Sequence, residues 1–199
     1  MKTVVGLFRN SADAERAVDA LEDAGFVSDD FSIVARDNVI ETDYMDDDDH
    51  VGAGEGAAVG AVGGATVGGL TGLLMGLGAL AIPGIGPVLA AGTLATALGS
   101  AAAGAGIGAA AGAVTGGVVG ALMDVGIPEE DAHFYAEGIR RGGVLVTVHA
   151  DDNRASLATG IMRQANAVDV NAERETWRAE GWEHFDETAP PVAGIYPQR

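Results

Sequence analysis

Hydrophobic and polar positions follow recognisable periods at both ends of the chain, and polarity vanishes in the middle. At the N-terminal end, Thr3 to Phe8 is a short apolar run with β-branched residues, which predicts a strand. Asn10 and Ser11 are helix-capping residue types. Ala14, Ala17, Val18, Leu21 and Ala24 then recur at helical spacing. Gly25 supplies a stop, and Phe31-Ser32-Ile33-Val34-Ala35 predicts a second strand.

The C-terminal end repeats the scheme from Gly126 onwards. Pro128 followed by Glu129, Glu130 and Asp131 suits a helix N-terminus. That helix runs through Phe134, Tyr135 and Ile139 to the break at Gly142-Gly143. Val144 to Val148 predicts a strand. Asp151 to Asn153 can cap another helix, with Ala155, Leu157, Ala158, Ile161 and Met162 as its apolar positions. Val168-Asp169-Val170 predicts a short fourth strand. Joined across the middle, the two ends spell β-α-β, an extra helix, then β-α-β. This is an α+β, ferredoxin-like order with an insertion between strands two and three. Neither half is large enough to bury a good core alone, so one domain built from both ends is expected. The expected boundaries are residues 1–50 for the first half with an acidic linker, 51–125 for the insertion, 126–172 for the second half and 173–199 for a tail.

A glycine register fills the insertion. Gly56, Gly60, Gly64, Gly68, Gly72 and Gly76 fall at every fourth position. After Pro83-Gly84-Ile85-Gly86-Pro87 a second series follows: Gly104, Gly108, Gly112, Gly116 and Gly120, with Ser100 in phase ahead of it. Residues four apart share a helix face, so a row of glycines makes a groove that a second helix can approach closely. The pattern predicts a long Gly/Ala-rich glycine-zipper helical hairpin, with Pro87 to Leu98 as a separate short helix. Glycine costs about 1 kcal/mol relative to alanine inside a helix, so six in one helix cost about 6 kcal/mol. Dense packing must offset that cost, from the partner helix, from other subunits or from a bilayer.

Charge sharpens the picture. The 199 residues carry 29 acidic and 11 basic side chains, a formal net charge of −18, and all of them lie outside residues 57–123. A surface of that sign repels phosphate, which argues against nucleic acid as a partner, and it disfavours anionic headgroups. The chain has no cysteine, which excludes disulfides, thiolate metal sites and thiol nucleophiles and fits a cytoplasmic setting. The apolar run after Met1 is too short for a signal peptide. Residues 54–81 match the length of a membrane span, about 20 residues. However, no Lys/Arg cluster or Trp/Tyr belt brackets them, and Asp46 to Asp49, Asp124 and Glu129 flank the insertion. The expected partner is therefore a second copy of the chain, with inner-membrane association as the alternative.

The polar constellations carry little chemistry. Asp46-Asp47-Asp48-Asp49-His50 offers carboxylates to a cation but lacks the glycine and terminal glutamate of an EF-hand loop, and reads as a solvated linker. His50, His133, His149 and His184 show no tight pairing and read as surface or structural residues. No nucleophile-elbow, P-loop or zinc-protease motif is present. No catalytic residue, cofactor site, metal site or small-molecule substrate is expected. In the tail, Trp177, Trp182 and Phe185 are large aromatics in a chain of small residues. They are either anchors that dock on another surface or cover for their own domain. Val192 to Arg199 reads as an extended arm.

Several of these segments resemble one family. They are Thr3 to Phe8 with Asp13-Ala14-Glu15-Arg16-Ala17-Val18 and Leu21, Ala81 to Gly92, Gly126 to Glu130, Arg141 to Val146, and Trp177 to Pro191. Together they resemble bacterial heat-induced, general-stress-type proteins with a glycine-zipper insertion. The resemblance implies a role in stress response and supplies no catalytic residues. Combined with the glycine register, it leads to the expectation of a non-enzymatic protein that self-assembles into a homo-oligomeric particle or filament with an acidic exterior.

Overall fold

A computed structural model describes residues 2–36, 78–82, 84–98 and 117–189. Five strands are β1 (Lys2–Phe8), β2 (Phe31–Arg36), β3 (Gly78–Ile82), β4 (Gly86–Gly92) and β5 (Val144–Ala150). The longer helices are α1 (Ser11–Asp23), α2 (Val118–Asp124), α3 (Glu129–Arg140), α4 (Asp152–Gln164) and α5 (Val170–Ala179), with a short helix at residues 93–98.

The caps act as their chemistry dictates. The Asn10 side chain accepts from the Asp13 amide at 2.7 Å, and Asp151 accepts from Arg154 at 2.9 Å, satisfying orphan donors at two helix starts. At the end of α1, Gly25 takes φ +84° and the Phe26 amide turns back to the Leu21 carbonyl at 3.1 Å.

The sheet is antiparallel throughout, in the order β1-β5-β2-β4-β3. β5 lies between β1, with Phe8 opposite Val144, and β2, with Ile33 opposite Val146. Alternation along the strands sorts the core into two layers. Phe8, Phe31, Ile33, Val144, Val146 and Val148 pack with Ala14, Val18 and Leu21 of α1 and Ala158 and Met162 of α4. On the opposite face, Leu7, Val34, Val88 and Leu145 pack with α2, α3 and the tail aromatics. Burial on both faces explains why β2 and β5 read as continuous apolar runs. Helix α3 approaches the sheet closely at Gly138, where a Cβ would overlap the Leu7 side chain.

Four expectations are corrected. Part of the expected glycine-zipper hairpin is a β-hairpin: Gly78–Ile82 and Gly86–Gly92 pair with each other, and β4 extends the sheet from β2. Alanine, leucine, isoleucine and valine suit either periodicity. Here the free edge of β2 decides, because strand pairing buries Ile82, Ile85, Val88 and Ala90. Gly84, at φ +76°, makes the turn. The separate helix expected from Pro87 therefore begins only at residue 93. The short fourth strand at Val168–Val170 does not form either. The Val168 amide donates to the Leu7 carbonyl at 2.7 Å on the free edge of β1, and Asp169 then caps α5, accepting from Ala172 at 3.0 Å. A strong cap outweighs a three-residue ladder. Leu157, expected among the apolar positions of α4, is 48% exposed.

Ten register glycines, Gly56, Gly60, Gly64, Gly68, Gly72, Gly76, Gly104, Gly108, Gly112 and Gly116, lie outside the described residues, as do the Asp46–His50 run and the Val192–Arg199 arm. Gly120 lies in α2. Among the described residues, no helix is long and apolar enough to cross a membrane.

Candidate functional site

The polar centre of the molecule sits where α3 ends. Glu137 is fully buried, and a buried carboxylate requires partners. Arg140 and Arg141 stand three and four positions later, on the same helix face. Glu137 Oε2 accepts from Arg140 Nε at 2.8 Å, and its Oε1 accepts from Arg140 Nη2 at 2.8 Å and Arg141 Nε at 2.7 Å. Arg141 also donates to Glu180 at 2.9 Å. Burial would lower the Arg141 pKa, but its hydrogen bonds to Glu137 and Glu180 outweigh that and hold the guanidinium above its ordinary value. Arg36, at the end of β2, donates to the Arg140 carbonyl at 3.3 Å.

The paired guanidiniums cover the tail aromatics. Arg141 lies 4.6 Å from the Trp177 ring centroid and Arg140 lies 5.9 Å from that of Phe185. Trp177 stacks on Phe134 at 4.6 Å, and Trp182 meets Trp177 edge-on at 5.6 Å. Trp177, Trp182 and Phe185 are all buried in the domain's own core. Beside them, burial and then the neighbouring Asp131 carboxylate push the Tyr135 hydroxyl up to about 12.

Beyond Phe185 the tail makes a tight turn. Asp186 accepts from the Thr188 amide at 2.8 Å and the Thr188 hydroxyl at 2.6 Å. These two bonds hold the Asp186 carboxyl below its ordinary pKa. The turn presses Glu187 onto two glycines. A Cβ on Gly84 would lie 2.9 Å from both the Asp186 carbonyl oxygen and the Glu187 Cα, and a Cβ on Gly117 would overlap the Glu187 carboxylate. Gly117 caps α2 without a side chain, so the carboxylate stands at the helix end that favours negative charge.

An open cleft of about 310 Å³ lies alongside, between Glu129, Glu130 and His133 of α3, Arg174 and Arg178 of α5, and Trp182 and His184 of the tail. His133 and His184, unpaired in the sequence reading, meet here edge to face at 6.1 Å. Arg174 pairs with Asp131 at 2.5 Å and Arg178 with Glu130 at 3.2 Å, so acids of α3 already engage both arginines. No group of three or more His, Asp or Glu placed to hold a metal ion occurs among the described residues.

The sequence reading singled out the three aromatics but missed the groups that seat them: Glu137, Arg140, Arg141 and Glu187. The first three carry a signal in hindsight, an acid followed by arginines at helical i+3 and i+4. The Glu187 contact carries none, because nothing local ties a tail glutamate to Gly117.

Residues 3–80 match the family model of the heat induced stress protein YflT domain. That stretch holds β1, α1, β2 and the whole first glycine series. No curated protein and no solved structure matches the chain significantly.

Proposed function

We propose that this chain, similar over residues 3–80 to the heat induced stress protein YflT domain, is a non-enzymatic stress-type protein that self-assembles. Its glycine series pack on one another and on those of further copies, giving a homo-oligomeric particle or filament in the cytoplasm. The exterior is acidic, because every charged residue lies outside 57–123. The observation that carries this reading is the eleven-glycine register, six positions in one series and five in the next. It is joined to a sheet whose two faces are buried by other elements of the chain. Glycine faces of that regularity gain stability only through close packing.

In favour of a ferredoxin-like scaffold stands the order β1-β5-β2, which places the third predicted strand between the first two; β4 and β3 extend it.

High-speed sedimentation of a detergent-free lysate, followed by negative-stain imaging, tests the proposal. The expected result is a large particle or filament outside the membrane fraction. A single copy by light scattering across all concentrations excludes it. Recovery with membranes and release only by detergent replaces it with a bilayer-inserted hairpin.

A further inference from the structure

We propose that the cleft between α3, α5 and the tail binds a small zwitterion, a molecule with a carboxylate at one end and an ammonium group at the other. The inference is independent of the self-assembly reading and adds a ligand to it.

One pole of the site is a set of hydrogen-bonding atoms that the fold leaves unmet. Trp182 Nε1, Arg174 Nε and His133 Nδ1 are buried without a hydrogen-bond partner among the described residues, and all three residues line this cleft. Folded proteins pair nearly all of their buried polar groups, so three orphans on one cleft call for a ligand. Trp182 is only 9% exposed. Indole and guanidinium N–H groups can only donate, and an imidazole nitrogen donates when it carries the proton. The group they suit is therefore an acceptor, and a carboxylate brings two oxygens to them.

The donors are already fixed in place. Arg174 gives its Nη2 to Asp131 at 2.5 Å and its Nη1 to Glu130 at 3.4 Å, which leaves Nε unused. Its guanidinium lies 5.4 Å from the Phe134 ring centroid. Trp182 is set edge-on against Trp177. Groups held in this way lose little freedom when a ligand arrives. The three atoms lie beneath the surface, and the exposed side chains of Arg178, Glu183 and His184 can move aside to admit a ligand from solvent.

The other pole has the opposite sign. Glu129 and Glu183 line the same cleft. Unlike Glu130, which pairs with both arginines, neither carboxylate has a hydrogen bond or ion pair among the described residues. A simple anion would face these two acids uncompensated, and a simple cation would leave the three orphans unmet. A zwitterion answers both. The cleft, at about 310 Å³, lies at the lower end of the range for small-molecule sites, which leaves room for a short carbon body between the two charges.

Calorimetric titration of the full chain at constant ionic strength tests the proposal. The probes are trimethylglycine and β-alanine as zwitterions, acetate as the anion alone and methylammonium as the cation alone. Two variants run beside the wild type: Trp182→Phe, which keeps a ring and removes the N–H, and the double change Glu129→Gln with Glu183→Gln. Near-UV circular dichroism checks the fold of each.

At least one zwitterion is expected to bind saturably, about tenfold or more tighter than acetate or methylammonium. Trp182→Phe should weaken it by about tenfold, the effect of one hydrogen bond to a charged group. The double variant should weaken the zwitterion and leave acetate unchanged or improved. Absence of saturable binding by both zwitterions overturns the site. Acetate binding as tightly as the zwitterions overturns the ligand class, and so does wild-type affinity in the double variant. Should Trp182→Phe fail to fold, the double variant, which changes only the acidic pole, still decides.

Discussion

Glu187 places its carboxylate in the space that a Cβ on Gly117 would occupy, joining the tail to the start of α2. Gly117→Ala displaces only the far end of a flexible side chain. The expected cost is below about 1 kcal/mol. In a Glu187→Ala background the same change should cost less, and this coupling is the quantity of interest. Urea titration of the four chains in the cycle measures it. Additive effects would show that the two positions do not touch.

Removing the buried carboxylate should cost far more. Glu137→Ala leaves Arg140 and Arg141 without their shared partner and is expected to destabilise by about 3–5 kcal/mol. The Trp177 near-UV signal should weaken as well, because Arg141 no longer sits fixed over its ring. A change under about 1 kcal/mol in denaturant titration would mean that the arginines find other partners.

Acid should loosen the tail. The Thr188 bonds lower the folded pKa of Asp186 below its unfolded value. The resulting stabilisation is complete above the ordinary aspartate value, about 3.9, and is lost as pH falls through the lower folded value. Hydrogen exchange of 181–189 should rise in acid before that of β5. Thr188→Val, which keeps the shape and removes the hydroxyl, should give faster exchange at neutral pH and a smaller acid-induced rise.

Tyr135 gives the mirror case at high pH. Burial raises its folded pKa to about 12, above the ordinary value near 10. Its contribution is intact below pH 10 and declines as pH rises from about 10 to about 12, by on the order of 2 kcal/mol. Tyr135→Phe should flatten that part of the stability profile. An unchanged alkaline slope in urea melts would assign the loss to other groups.

The flanks were legible where local chemistry decides. Asn10, Gly25 and Asp151 mark helix ends through their own side chains or backbone freedom, and Val144 to Val148 could only be a strand. Periodicity failed where two periods fit the same residues. Gly78 to Ile82 and Val88 to Gly92, on either side of the Pro83–Pro87 break, each suit a helix or a strand on paper, and the free edge of β2 settles it. Val168-Asp169-Val170 failed for the opposite reason: its strand propensity is real, but the Asp169 cap acts on shorter range. The tail was half legible. Trp177, Trp182 and Phe185 stood out by size, whereas the Glu137-bound arginines over Trp177 and Phe185, and the Glu187 contacts with Gly84 and Gly117, join positions that local pattern does not connect.

The order β1-β5-β2 also sets a timetable. β1 has β5 as its strand partner, and β2 reaches its place beside β1 only across β5. On the ribosome, then, β1 must wait until residues 144–150 have been made, whereas β2 can pair first with β4. By that time the uncharged stretch 57–123 has already emerged. Sheet closure of such high contact order is slow, and throughout that interval the nascent chain carries an uncharged, Gly/Ala-rich stretch without its finished sheet. The acidic residues on either side repel other chains of the same sign, so the placement of charge bears on the birth of the molecule as well as on its finished surface.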